Sequence, residues 1–322
     1  QQHARQAGLD FAVDWGARAS ATVGGAVSTN AGGSRVVRFG TMRSQVMGLQ
    51  MVLADGSVVD ESNGLPKETA GPRLSNLVVG SEGTLAIVTA ARLRLVPWYR
   101  NTAAALVGCS SFHHAVEVLA RVRTLSSLDA VEVLMSDALQ VACAHIGSTP
   151  PLADHPLYLL IDCAAHHDPT DELAAAVAEL DGVLAHGPQR DELFRIRDHV
   201  TLAISALGTP VKLDVAVPLD QLDDLVRRVD RVAAATNTAA IVFGHLAEGN
   251  LHVNLLNARD DRDRRTITET VLRAAIELGG TISAEHGIGV AKTQWLAELK
   301  GGAAMAAMRS MKHALDPDGL FN

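Results

Sequence analysis

Leu251, Val253 and Leu255 alternate with His252 and Asn254 in the run GHLAEGNLHVN at 244–254. This is the period-two pattern of a strand with one buried face. Gly249 and Asn250 are turn formers between that run and residues 241–245, so the two predict a hairpin whose polar loop brings His245 and His252 together. Alternation over 211–217 sets Val211, Leu213 and Val215 on one face and Lys212 and Asp214 on the other. Residues 46–59 read as strand, turn, strand with Asp55-Gly56 at the turn. In 77–95, LVVGSEGTLAIVTAARLRL, two β-rich runs flank the polar turn 80–84. Residues 157–161 read as a further strand. Helical spacing appears in Phe112, Val116, Leu119 and Val122, and in Leu222, Leu225, Val226 and Val229. A helix over 191–205 would place Arg197 and Thr201 four apart on one face. Such a mixture predicts an α/β (α+β) chain, with Pro97 marking a boundary before an antiparallel sheet covered by helices.

Composition narrows the class. At 322 residues, about two domains are expected. The net charge of −8 and the lack of a basic run argue against nucleic acid as a partner. No run of about 18 uncharged apolar residues suggests a membrane span. No signal peptide opens the chain, and Cys109, Cys143 and Cys163 are odd in number and far apart, which fits core residues in a reducing compartment. Residues 259–265 are a mixed-charge run expected at a solvated turn and helix start. No repeats or low-complexity segments are seen.

The candidate chemistry lies in two places. His245 and His252, with Glu285 and His286 from AEHGIG at 284–289, offer two imidazoles, one carboxylate and a spare base. That set suits Zn²⁺, Mn²⁺ or Fe²⁺ and leaves coordination positions open. Any one of the 13 histidines is more often an ordinary satisfied or exposed side chain. The Glu285-His286 pair within TISAEHGIGVA is different, because charge there is costly to bury uncompensated. SATVGGAVSTNAGG at 20–33 is rich enough in small residues to let backbone approach a bulky ligand. It lacks G-x-G-x-x-G spacing, and its plainer reading is a glycine-rich loop. Arg197 and Lys212 could meet a carboxylate, although their spacing alone favours a solvated helix face and an edge-strand lysine.

SATVGGAVSTNAGG and GSEGTLAIVT resemble the flavin-lining segments of vanillyl-alcohol-oxidase-type flavoproteins. With GHLAEGNLHVN, AEHGIGVAK and the closing ALDPDGLFN, the chain is similar to FAD-linked D-2-hydroxyacid dehydrogenases, the group of D-lactate, glycolate and D-2-hydroxyglutarate dehydrogenases. The resemblance implies the second half of an FAD-binding domain in 1–98 and an FAD-linked oxidase C-terminal domain in 99–322, with 279–322 returning toward the flavin. It implies FAD lined by Thr22, Gly24, Gly25, Thr29, Asn30, Gly32, Gly33, Glu82, Gly83, Ile87 and Asn322. His245, His252 and Glu285 would bind a divalent metal, zinc first with manganese or iron as alternatives. His286 would be the base, and Arg197, Thr201, Lys212 and Asn254 would hold the substrate's carboxylates. The implied reaction takes a D-2-hydroxy acid to its 2-oxo acid, with hydride passing to the flavin and electrons on to a quinone or an electron-transfer flavoprotein. The implied setting is the cytoplasm or the inner membrane face, with a homodimer as the assembly.

Three departures stand beside this resemblance. No PRGGGT-like pyrophosphate loop is present, and Gln1 falls inside the helix expected to follow one, so an N-terminal truncation is expected. KETAGPRL at 67–74 stands where a KxNTGYDL-like run is common, and Ala247-Glu248 where GD is usual. Two other readings stay open: a non-catalytic fragment or partner subunit unable to hold FAD alone, and a flavin-free metal-dependent hydrolase.

Overall fold

A computed structural model of the protein describes residues 1–16, 18 and 20–322. The chain forms two compact units, Tyr99–Ala284 and a second made of Gln1–Trp98 with Glu285–Asn322.

Tyr99–Ala284 is built on apolar runs long enough to be covered on both faces. Every residue of Leu157–Ala165 is buried, and this strand lies inside a seven-stranded sheet. The order is Val211–Ala216, Asn250–Leu256, Ala239–His245, Leu128–Met135, Leu157–Ala165, Asn101–Cys109 and Gly182–His186. All neighbours pair antiparallel. The predicted hairpin is present, with His245 opposite Asn250 and Phe243 opposite His252. Its connection is a 3-10 turn, Leu246–Glu248, closed by Gly249 at φ 66. A Cβ at Gly249 would collide with the Val217 carbonyl oxygen, so the turn needs glycine for space as well as for its backbone angle.

The helices of this unit start where their caps dictate. Ser111 Oγ accepts from His114 N at 3.1 Å to begin Phe112–Val122, and Asp260 caps Asp261–Glu277 through Asp263 N. Pro188 occupies the first turn of Pro188–Leu207, a helix longer at both ends than the predicted 191–205. Leu193, Ile196, Val200 and Ile204 of that helix pack with Leu134, Leu160, Ile241 and Phe243 of the sheet. Leu251, Val253 and Leu255 are buried on the opposite face by alternation. The three cysteines are free and buried, and burial pushes the thiol of Cys109 up to about 12 and that of Cys163 to about 11.

The other unit has less sheet and more turns. Val58–Asp60, Val46–Val52 and Ile87–Leu93 form a three-stranded antiparallel sheet, and Leu9–Asp10 pairs with Val96–Pro97. Gly56, at φ 83, turns the predicted hairpin. The expected β-run at the start of 77–95 is instead helical, over Ser75–Val78. Its cause lies 14 residues away in the sequence: the Glu61 carboxylate accepts from Leu74 N at 2.9 Å and Ser75 N at 2.8 Å, supplying partners for amide groups that a helix start leaves open. Among the described residues, no helix is long and apolar enough to cross a membrane.

Candidate functional site

Within Tyr99–Ala284, strand register concentrates polar side chains at one end of one sheet face. Glu132 lies directly opposite His245, and Asp214 directly opposite His252. The His245 and His252 rings stand edge to face with centroids 5.4 Å apart. Their Nδ1 atoms each face a buried carboxylate, Glu132 Oε1 at 2.7 Å from His245 and Asp214 Oδ1 at 3.5 Å from His252. Asn250 Nδ2 donates to Asp214 Oδ1 at 2.8 Å, and the Ala284 N–H donates to Asp214 Oδ2 at 3.1 Å.

Arg197 reaches this wall from the helix Pro188–Leu207. Its Nε donates to Glu132 Oε2 at 2.6 Å, and its guanidinium lies over the Phe243 ring at 5.5 Å. Burial alone would raise the Glu132 carboxyl; the charges and hydrogen bonds of Arg197 and His245 outweigh it and hold the group at about 2. An ionised carboxylate only accepts, so His245 Nδ1 carries the proton and a neutral ring has its lone pair on Nε2. Arg197 is therefore no solvated surface residue: its side chain is only 17% exposed. Thr201 is half-buried one turn further on. Lys212 and Asn254 share a rung, with Lys212 exposed and the Asn254 amide bonded to the Ile241 and His252 carbonyls at 3.3 Å. In the hairpin turn next to His245, burial pushes the Glu248 carboxyl up to about 7, with His245 pulling against it and Glu132 adding to it.

Glu132 was not legible as a site residue from the motifs. A signal existed: it is an acidic residue between apolar neighbours in LDAVEVLM, and the cost of burying charge marks it as it marked Glu285.

In the other unit, the turn after Ala284 is held by acceptors on its own side. Glu285 Oε1 accepts from Gly33 N at 3.0 Å. Glu82 accepts from Ile288 N at 2.8 Å and Gly289 N at 2.7 Å. His286 is exposed between these two attachments. Glu82, predicted to line the flavin, thus spends its carboxylate on backbone of the AEHGIG turn.

Thr22, Gly24, Gly25, Gly83, Ile87 and Asn322 line a single cavity of about 400 Å³, together with Phe321 and Leu320. Thr29, Asn30, Gly32 and Gly33 do not line it; they shape the adjoining loop. Thr29 Oγ1 donates to Gly25 O at 3.0 Å, and Asn30, at φ 51, accepts Arg43 N at 2.9 Å. Gly33, at φ 118, has no room for a Cβ against the Asp14 carbonyl. Asn322 reaches the cavity because Asp316 accepts from Leu320 N and Phe321 N, both at 2.8 Å, and curls the chain end.

Residues 99–322 match the family described as FAD linked oxidases, C-terminal domain, and residues 1–62 match an FAD binding domain. The chain belongs to the FAD-linked oxidase family. It is 35% identical over 337 aligned residues to a D-2-hydroxyglutarate dehydrogenase of Xanthomonas citri pv. viticola, covering 99% of this chain and 71% of that protein. It is 34% identical to the mitochondrial D-2-hydroxyglutarate dehydrogenase of Danio rerio and 32% to that of Bos taurus, and spans 61% of the length of each. A solved alkyldihydroxyacetonephosphate synthase shares the fold at TM-score 0.69 and 14% identity, over 99% of this chain and 60% of that one.

Residues of this FAD-linked oxidase fit the cofactor its family is named for. Thr22, Gly24, Gly25, Ser28, Gly83 and Ala86 give part of the cavity wall no long side chain, so backbone there can approach a planar ring system closely. The donor set also fits a divalent cation: each histidine has a carboxylate behind Nδ1, the arrangement that orients ligating imidazoles.

Proposed function

We propose that this chain carries the flavin-lining and substrate-binding parts of an FAD-dependent D-2-hydroxyacid dehydrogenase acting on D-2-hydroxyglutarate. The observation that carries the reading is the buried chain Arg197–Glu132–His245, which fixes a carboxylate-binding cation beside an oriented imidazole. FAD, when bound along the Thr22–Asn322 cavity, supplies the two-electron acceptor. A divalent cation held by His245, His252 and Glu285, zinc first and manganese or iron otherwise, would supply Lewis-acid polarisation of the substrate's hydroxyl.

The chain's own residues do the rest. His286 takes the hydroxyl proton, a contribution of roughly 10²–10⁴ in rate. Arg197, Thr201, Lys212 and Asn254 bind and orient carboxylates. Two cations, Arg197 and Lys212, suit a diacid better than a monoacid. The wider protein needs an electron acceptor as its partner, a quinone or an electron-transfer flavoprotein.

Turnover of the flavin-loaded protein with a dye acceptor tests this. Expected kcat/KM for D-2-hydroxyglutarate exceeds that for D-lactate or glycolate by roughly 10- to 100-fold, the worth of one charged hydrogen-bonded contact. Equal turnover of the monoacids ends the diacid reading. Full turnover in a His286→Ala variant removes His286 from its role.

A further inference from the structure

Glu132 occupies a position that neither the motifs nor the family resemblance assigns. It sits on the strand Leu128–Met135, opposite His245 on one side and Leu160 on the other, and is 1% exposed. Each of its oxygens serves a different partner: Oε1 meets His245 Nδ1 at 2.7 Å, and Oε2 takes Arg197 Nε at 2.6 Å. The two partners are those that the proposed function places on the metal and on the substrate carboxylate.

We infer that Glu132 is a positioning residue that sets the tautomer of His245 and, through the same carboxylate, the pose of Arg197, so that metal and diacid bind cooperatively. This rests on the reading above for what the two partners hold. The physical argument is one of donors and acceptors. Arg197 can only donate, so whatever faces it must accept. A carboxylate accepts on both sides, and therefore also fixes Nδ1–H on His245 and the lone pair on Nε2. Tying both groups to one rigid pivot links their order: fixing either lowers the entropic cost of fixing the other.

Glu132→Gln is the decisive variant because an amide has one acceptor and one donor end. Arg197 claims the amide oxygen, which turns the amide NH₂ toward His245 Nδ1 and forces that nitrogen to accept. The proton then sits on Nε2, the nitrogen meant for the metal. In the flavin-loaded protein, the ¹⁵N shifts of His245 should interchange between wild type and Glu132→Gln. The dissociation constant for Zn²⁺ alone, measured by chelator competition, should weaken by about 10- to 100-fold. KM for D-2-hydroxyglutarate should rise, and the affinity for 2-oxoglutarate should no longer respond to Zn²⁺. Glu132→Asp, which keeps two acceptors, should retain the wild-type tautomer, a rescue that a merely space-filling role would not give.

The inference is overturned if Glu132→Gln, shown folded by its melting curve, keeps the wild-type tautomer and Zn²⁺ affinity, or if wild-type His245 is protonated on Nε2. A wild type that binds no Zn²⁺ overturns the cooperative half. A wild type that binds Zn²⁺ but oxidises no hydroxy acid ends the proposed function instead, and leaves the tautomer and metal readings intact.

Discussion

Two histidine-bearing regions solve the same positioning problem with different means. His245 is held by a side chain: Glu132, opposite it in the sheet, buried, and itself held by Arg197. His286 is held through backbone: Glu285 ties the turn to Gly33 N, and Glu82 accepts the Ile288 and Gly289 N–H groups, while the imidazole stays exposed. The first arrangement fixes a ring to within a hydrogen bond and a tautomer. The second fixes a loop through its backbone. The former suits the ligand role proposed for His245, and the latter sets where the base proposed at His286 sits.

The contrast predicts unequal losses. Glu132→Ala removes the acceptor of both Arg197 Nε and His245 Nδ1 from inside the sheet, and should lower unfolding free energy by about 3–5 kcal/mol, read from denaturant midpoints. Gly33→Ala drives a Cβ into the Asp14 carbonyl at a left-handed backbone, and should destabilise by about 1–3 kcal/mol while loosening the Glu285 attachment. Glu82→Ala leaves two backbone N–H groups near solvent that water can serve, so roughly 1 kcal/mol is expected. Hydrogen exchange at Ile288 and Gly289 should quicken, and kcat should fall more than KM rises. A Glu82→Ala loss as large as that of Glu132→Ala would break the comparison.

The smallest effect concerns acid stability of the chain end. Lys312, Phe321 N and Leu320 N outweigh the burial of Asp316, which alone would raise its carboxyl, and hold it at about 2 against an ordinary 3.8. The folded state thus binds fewer protons than the unfolded chain as this group titrates. Its stabilisation is full above about pH 4 and is lost as pH falls toward about 2. Asp316→Asn should flatten that part of a stability-against-pH curve.

Local pattern was enough for much of this molecule. Alternation about His252 gave the hairpin, helical spacing gave Phe112–Val122 and Leu222–Thr236, and Asp55-Gly56 gave its turn, because each rests on contacts or backbone angles within a few residues. The β-run expected from residue 77 failed for the opposite reason: the Glu61 carboxylate that supports the start of the helix Ser75–Val78 is remote in sequence. The four-residue spacing of Arg197 and Thr201 could not tell a wet helix face from an ion pair against the sheet, since the deciding partner, Glu132, is 65 residues away.

By itself, then, the sequence marked the candidate groups: two imidazoles flanking a glycine turn, an acid-base pair among small residues, and a glycine-rich segment. Only the tertiary structure decided how those groups are held, because sheet register is a long-range choice. Setting Leu128–Met135 against Ala239–His245 is what puts one carboxylate on both an imidazole and a guanidinium.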